Sequence, residues 1–466
     1  MIYKVIAHLK GKNTTIIIDE SHNLNELTAK RTLLLLQICK EIDNDDILLL
    51  SGSPIKAMPL EMLPMIELLD KGFNGIVKNR FVNLYKNMPE ILKVSILERY
   101  TGYRTFVNKD ELKLPETVTE SINIKISNAK EYTLETIRLK MKAYTEKRFK
   151  ELNDNFTTYE TTYHDLYYKA KKILIQNGML EKEFTLYEES IKKIKKAYKE
   201  RKLLFISETL VYANKFEKEI IARTLSPEEK KLFNEAKTIV KYLKLKIQGE
   251  VLGNVIGRER INCHMDLAKA IDYKSLISST NKKVIIFSNY IDVCTEANNT
   301  LNKLGYETVK VYGDDTKYLS ENVNKFMNKT NNANPLVATY KSLSTAVPLI
   351  VANVEIFIDM PFRNYIYEQA VARVHRLGQD EVVFLYQIHL DTGDIPNINS
   401  RNIDIIEWSK RMVAEITGYS SDIEIIKNEG TEEGKSTIFL DEYISSFTKD
   451  FKISKEEKKE TILDSW

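Results

Sequence analysis

The chain has 466 residues, of which 43% are hydrophobic and 29% are charged, as in globular proteins long enough for two or three domains. No apolar run reaches the ~18 residues of a membrane span, and no signal-peptide pattern or CxxC spacing occurs, which argues against a membrane protein, a secreted disulfide scaffold and a zinc site. The net charge is only +3, but residues 125–250 hold 28 Lys and Arg against 19 Asp and Glu, an excess of nine.

The first predicted strand, residues 15–18, is a short β-branched run that ends in Asp-Glu-Ser-His, residues 19–22. Acids at the C-terminal end of a buried parallel strand lie at the crevice where α/β sheets bind ligands. There Asp19 suits Mg²⁺ held through water, and Glu20 suits polarisation of a hydrolytic water. The alternative is a helix N-terminus, where acids are favoured without any ligand.

A second apolar run, residues 47–50, predicts another buried strand, separated from the first by a predicted helix over residues 26–42. The run leads directly into Ser51, Gly52 and Ser53. Small residues at this point allow the backbone to turn tightly and to approach neighbouring groups closely.

The middle of the chain, residues 121–265, is rich in Lys and Glu, and its apolar residues recur at helical spacing. We therefore predict several helices there, without a heptad pattern long enough for a free-standing coiled coil. The excess of positive charge suits contact with a nucleic-acid backbone, and it suits a lysine-rich solvated helix face equally well.

Five further apolar runs predict the strands of a second α/β region. They are residues 283–287, 307–312, 336–339, 354–359 and 381–386. Small hydroxylated residues follow the third of these strands, beginning at its last residue, Thr339. Such residues at a strand end can bind phosphates through hydroxyl and backbone N–H groups.

The most informative segment is residues 369–379, Gln-Ala-Val-Ala-Arg-Val-His-Arg-Leu-Gly-Gln. On a helix, Gln369, Arg373 and Arg376 would share one face. Two guanidiniums on one face form an anion receptor suited to bidentate phosphate contacts. The alternative for a pair of arginines is a solvated helix face.

Four of these segments resemble motifs of the Swi/Snf-like branch of superfamily-two helicases. Residues 19–22 resemble its Walker B motif, residues 51–55 its Gly-Thr-Pro-type motif, residues 283–316 its fourth motif region and residues 369–379 its last motif. The resemblance implies an α/β fold with two RecA-like parallel-sheet lobes, the first incomplete, and a helical insertion between them. The implied domains are a partial first lobe (1–120), the helical insertion (121–265), a second lobe (266–420) and an acidic tail (421–466).

The resemblance also implies ATP and Mg²⁺ as cofactors and DNA as the partner of an ATP-dependent helicase or translocase in replication, recombination or repair. Glu20, Arg373 and Arg376 are then catalytic. Nucleotide contacts are implied for Asp19, through Mg²⁺-bound water, and for Gln369 with the two arginines. Coupling of the nucleotide to DNA is implied for His22, Ser51, Gly52 and Ser53, and DNA contact for Ser288, Asn289, Gly313 and Thr339.

The sequence contains no G-x-x-x-x-G-K-[ST] phosphate loop, the element that cradles the phosphates of ATP in such enzymes. We expect that a separate upstream chain supplies this loop, and that the present chain is the C-terminal part of a split helicase with little activity alone. The alternative is a nucleic-acid-binding accessory protein without ATPase activity. Abundant Lys, Ile, Asn and Tyr indicate an AT-rich genome, and we expect the cytoplasm of a bacterium or of a phage-infected host cell.

Overall fold

The computed structural model describes residues 8–10, 12, 14–25, 29–42, 46–52, 55, 59–70, 72–73, 75–87, 94, 96, 98, 113–199, 207–343, 347–417 and 423–426. The chain forms two compact units. The first unit comprises the described residues within 1–136 and 259–437, and the helical unit comprises those within 137–258. The acidic tail predicted from residue 421 lies almost entirely outside the described residues.

The described residues in the N-terminal part of the first unit include two short parallel strands and the α-helices that follow them. They are β1 (Ile16–Ile18), α1 (Lys30–Ile42), β2 (Ile47–Leu49), α2 (Leu63–Leu69) and α3 (Gly75–Asn87). β1 pairs in parallel with β2, and one face of the pair packs on a small apolar cluster around Leu24 and Cys39. Ile17 and Leu48 on the other face are 61% and 49% exposed. The prediction that both strands are buried is therefore wrong for this outer face within the described residues.

The helical unit is built from helices of very different length. They are α4 (Leu134–Gln176), α5 (Glu181–Lys199), α6 (Ser207–Phe216), α7 (Ala222–Thr224) and α8 (Pro227–Val251). Two π-helical turns, Glu217–Ile221 and Leu252–Gly257, follow α6 and α8. Aromatic side chains dominate the core of this unit, with Tyr163 stacked on Phe233 at 5.2 Å and Tyr187 stacked on Phe216 at 5.0 Å between ring centroids.

A buried ion cluster crosses the core of the helical unit. Glu217 accepts a hydrogen bond from Lys241 Nζ at 2.7 Å, and its carboxylate also contacts Lys237 and the hydroxyl of Tyr187. The Glu217 side chain is only 3% exposed. One carboxylate thus serves as the counter-charge of two lysines of α8, and burial lowers the pKa of each lysine to about 8.

The remaining elements of the first unit begin with an edge strand and continue through the second α/β region. The strands are β3 (Thr117–Ile124), β4 (Lys283–Ser288), β5 (Glu307–Val311), β6 (Ala333–Thr339), β7 (Ala352–Phe357) and β8 (Val383–Leu390). The helices are α9 (Arg258–Ala270), α10 (Tyr273–Ser278), α11 (Ile291–Lys303), α12 (Leu319–Met327), α13 (Asn364–Val371) and α14 (Ile398–Thr417).

These six strands form one parallel sheet in the order β3-β8-β7-β4-β6-β5. Every residue of β4 and β7 is buried, as expected for central strands of a parallel sheet with helices on its faces. The rings of Phe287, Tyr340 and Phe357 stack within 9° of parallel at one end of the sheet. The predicted α/β class, with a parallel-sheet lobe and a helical insertion before it, is confirmed.

Strand β3 joins this sheet from a part of the chain that precedes the helical unit. All eight of its residues pair in parallel with β8, from Thr117 opposite Val383 to Ile124 opposite Leu390. The domain boundary expected at residue 120 therefore falls inside a strand, and the compact units divide instead at 136/137 and 258/259. No described helix combines the length and apolar character needed to cross a lipid bilayer.

Candidate functional site: the cleft around Glu20, His22 and Arg373

The acidic motif lies directly after β1, in a turn that continues into the short 3-10 helix Ser21–Leu24. Glu20 adopts a left-handed backbone conformation (φ 50°), which non-glycine residues rarely adopt. His22 is buried, and its Nδ1 lies 3.0 Å from Glu20 Oε2 and 3.0 Å from Ser51 Oγ. The structure thus brings together three predicted residues from two separate motifs. Glu20 and His22 come from the first motif, and Ser51 comes from the second.

Asp19 is exposed, and its Oδ1 accepts a hydrogen bond from the backbone N–H of Glu20 at 2.8 Å. Within the described ranges, no group of three or more His, Cys, Asp or Glu side chains is placed to hold a metal ion by itself. A single exposed carboxylate nevertheless fits Mg²⁺, which keeps several waters and is commonly shared between one or two carboxylates and substrate phosphates.

The loop after β2 contributes Ser51 through its bond to His22, whereas Gly52 is exposed with open space around its Cα. A close backbone approach at Gly52 is therefore not made by the described residues. Ser53 lies outside them.

The arginine segment begins in helix α13 but leaves it early. The prediction that Gln369, Arg373 and Arg376 share one helix face is wrong, because α13 ends at Val371 and only Gln369 lies in it. Tertiary hydrogen bonds hold the following residues in turns instead. The carbonyl of Arg373 accepts from Leu349 N at 2.8 Å, and Gln379 Nε2 donates to Ala352 O at 2.7 Å.

Arg373 is buried to 7% exposure, whereas Arg376 is partly exposed. Burial lowers the pKa of Arg373, the positive charge of Arg376 lowers it further, and the carboxylates of Glu20 and Glu355 oppose both effects. Arg373 therefore lies within electrostatic reach of the acid that was predicted to activate water. The three residues differ in their surroundings: Gln369 lies in α13, Arg373 is buried after the helix and Arg376 is partly exposed.

Glu355 was not identified from the sequence. It lies in the middle of β7, is fully buried, and neither of its carboxylate oxygens has a hydrogen-bond partner among the described residues. Burial raises its pKa well above the usual range, and the charge of Arg373 partly offsets this effect. The sequence signal was an acid inside an otherwise apolar strand, which burial makes costly unless a cation is nearby.

Two contacts connect the N-terminal part of the first unit to the segment before and within α13. The rings of His22 and Tyr365 lie 5.3 Å apart, and Arg363 Nη1 lies 3.0 Å from Glu61 Oε1. Glu61 is only 11% exposed in its side chain, so this ion pair is better shielded than a surface one. Tyr365 therefore connects the acidic motif to the second lobe.

The residues predicted to contact DNA follow the strands of the larger sheet. Ser288 is fully buried and donates a hydrogen bond to Asp359. Its side chain therefore supports Asp359 and is not exposed for the DNA contact that the resemblance implied. Thr339 is 6% exposed and its hydroxyl is paired with that of Ser342. Gly313 follows β5 with a left-handed φ of 59°, a conformation that favours glycine.

Asp359 is the second buried acid that sequence analysis did not single out. Its carboxylate accepts hydrogen bonds from the backbone and side chain of Asn289 as well as from Ser288. Burial raises its pKa to about 6, although these hydrogen bonds act in the opposite direction. Asn289 is held by this acid at the rim of a cavity of about 280 Å³. The cavity is lined by Phe287, Asn289, Lys341, Tyr365, Ile366 and Gln369, among others.

Part of the chain matches a known protein family. Residues 267–378 match the family described as helicase conserved C-terminal domain. An uncharacterized ATP-dependent helicase of Mycoplasma pneumoniae is 28% identical over 107 residues, covering 23% of this chain and 10% of that protein. The SNF2 domain-containing protein CLASSY 4 of Arabidopsis thaliana is 26% identical over 138 residues, covering 27% and 12%.

The ATP-dependent helicase fft1 of Schizosaccharomyces pombe is 28% identical over 126 residues, covering 27% of this chain and 13% of that protein. The aligned segments span about a tenth of the length of the curated relatives. The crystal structure of the C-terminal part of the Fun30 ATPase domain aligns with 16% identity over 72% of this chain and 99% of that chain, with a TM-score of 0.29.

The region around β4 to α13 is therefore a helicase-type C-terminal domain. Together with the similarity to SNF2-type relatives, this match supports the resemblance of the chain to a C-terminal portion of a Swi/Snf-like superfamily-two helicase.

Proposed function

We propose that this chain forms the second lobe, the helical insertion and part of the first lobe of an ATP-dependent DNA helicase or translocase. In this proposal Asp19 holds Mg²⁺ through water, Glu20 polarises the hydrolytic water, and Arg373 and Arg376 stabilise charge on the γ-phosphate. Mg²⁺, when bound, would shield the phosphate charge. The phosphate loop must come from polypeptide outside this sequence, because the sequence contains none.

One observation supports the proposal most strongly. Glu20 acts electrostatically on Arg373, and the same Glu20 lies 3.0 Å from His22, whose Nδ1 is also 3.0 Å from Ser51. In this proposal Glu20 is the acid for water activation, Arg373 the cation for transition-state charge and Ser51 part of the coupling loop, which are the functions that an ATPase site requires. Ser288 supports Asp359, Gln369 and Asn289 line one cavity, and DNA contact is proposed for Asn289, Gly313 and Thr339.

The test is DNA-stimulated phosphate release by the chain co-expressed with the reading frame immediately upstream of its gene. Arg376→Ala should then reduce turnover, by up to the about 10³–10⁵-fold effect of arginine fingers in NTPases. Arg376→Lys should restore it only in part, because an ammonium lacks the planar fork. The matched control is Arg411→Ala, an exposed arginine of α14. Unchanged turnover in Arg376→Ala, with the melting temperature preserved, would contradict the assignment.

The second candidate is a nucleic-acid-binding accessory protein of the cytoplasm that hydrolyses no ATP. The missing phosphate loop favours it for the chain alone. The same co-expression experiment separates the two candidates, since an accessory protein would bind DNA without gaining phosphate release.

A further inference from the structure

We propose that the cavity beside α13 accepts a single unpaired nucleobase of a bound nucleic-acid strand, with its phosphate held by Lys341. This inference rests on the proposed function and adds to it a ligand class for one site. The cavity measures about 280 Å³, just below the roughly 300–1,000 Å³ typical of ligand pockets, which suits a single base better than a larger ligand.

The walls of the cavity suit a flat aromatic ring. Phe287, Tyr340, Leu343 and Ala370 line it and are at most 7% exposed, so their positions are fixed by the core. Tyr365 also lines the cavity, with its ring held 5.3 Å from that of His22. Aromatic and aliphatic walls of this kind bind bases without regard to their sequence, because every base has a π-face.

The polar groups of the cavity suit the edge of a base. Asn289 commits its Nδ2 to Asp359 and to Met360 O, at 3.0 Å from the latter, which leaves its Oδ1 to accept a hydrogen bond from a ligand. Gln369 lines the same cavity and makes no hydrogen bond with the described residues, so its amide offers both a donor and an acceptor. Two side-chain amides are the groups that proteins use to read base edges.

The charge of the cavity suits a phosphate next to that base. Lys341 is exposed and forms no salt bridge within the described part of the chain. The described residues that line the cavity include no carboxylate, and Asp359, which accepts hydrogen bonds from Asn289, is itself fully buried. A base in the cavity with its phosphate at Lys341 would satisfy all three polar groups at once.

The test compares two short fluorescein-labelled strands of equal length, oligothymidylate and a strand of abasic spacers with the same phosphates. Fluorescence anisotropy should show the chain binding oligothymidylate at least about fivefold more tightly, since a stacked base contributes about 1–3 kcal/mol. Lys341→Gln should weaken both strands alike, because it removes only a phosphate contact.

Filling the cavity should abolish the preference. Ala370→Leu should bring the affinity for oligothymidylate down to that for the abasic strand, whereas Ala372→Leu, the same change at an exposed position one residue after α13, should not. Ile366→Trp, at a partly buried lining position, provides a second filling variant if Ala370→Leu lowers the melting temperature.

Equal affinity of the unaltered chain for both strands, or a preference that survives both filling variants, would overturn the base-accepting cavity while leaving the proposed function intact. Failure to bind either strand would instead overturn the nucleic-acid part of the proposed function, and the cavity assignment with it.

Discussion

Replacing Glu217 by Gln should destabilise the helical unit strongly. The carboxylate is 3% exposed and contacts Lys237 and Lys241, whose side chains are 20% and 15% exposed. The neutral amide would leave two buried ammonium groups without a counter-charge. Removing one partner of a buried ion cluster costs about 3–5 kcal/mol.

The expected shift of the unfolding midpoint follows from this free-energy cost and from the size of the unit. The unit spans residues 137–258, and an unfolding entropy of about 2.1 cal/mol/K per residue gives roughly 0.26 kcal/mol/K. A loss of about 4 kcal/mol should then lower the unfolding midpoint of the unit by about 15 °C.

Hydrogen exchange with mass spectrometry on peptides from 137–258, measured in the full chain over a temperature series, reports this midpoint directly. The matched control is Glu229→Gln, whose pair with Lys169 lies at the surface and should contribute little because solvent screens it. Met at all three positions of the cluster should restore stability, since apolar replacements of buried ion clusters are often neutral or stabilising. A midpoint shift in Glu217→Gln no larger than that of Glu229→Gln would refute the reasoning.

Three further predictions concern pH, DNA and ATP. Burial lowers the pKa of His264 to about 3, so the neutral ring contributes stability that is present above the unfolded pKa of about 6.5 and is lost as the pH falls towards 3. Between pH 7 and pH 5 this group should account for a loss of about 2 kcal/mol in urea unfolding, and His264→Gln should remove that part of the pH dependence. DNA affinity should fall steeply with salt, and each lysine-to-glutamine change at a phosphate contact should reduce the log–log slope by roughly 0.9 on duplex DNA; an unchanged slope across several such variants would exclude backbone contact. The purified chain alone should release little phosphate from ATP, and a DNA-stimulated rate abolished by Glu20→Gln would show that this expectation is wrong.

The central strands were predictable because their sequences are short apolar runs rich in β-branched residues. Strand β3 was not, because Glu120, Ser121 and Asn123 interrupt its apolar character. It lies at the edge of the sheet, where only one neighbouring strand pairs with it, and polar residues are tolerated there.

The candidate site was predictable where a motif fixes local chemistry and not where tertiary contacts decide. Glu20, His22 and Ser51 were identified from their motifs, and the structure brings them within hydrogen-bonding distance. The end of α13 could not be predicted. The spacing of Gln369, Arg373 and Arg376 is compatible with a continuous helix, but hydrogen bonds to residues distant in sequence hold the chain after Val371 in turns. Glu355 was also not predicted. The apolar pattern of residues 354–359 indicates a strand, but it does not show that the charged side chain within this strand is buried.

The hydrogen bonds around Asp266 join the two ends of the chain segment that forms the helical unit. Asp266 accepts from Tyr132 Oη at 2.6 Å and from Asn128 Nδ2 at 2.7 Å, which fastens the chain just before it leaves the first unit to the point just after it returns. The cost of closing a loop rises by only about 0.6 kcal/mol for each doubling of its length. Because these hydrogen bonds join the two ends of the segment, we expect a change in the length of residues 137–258 to cost the first unit little stability.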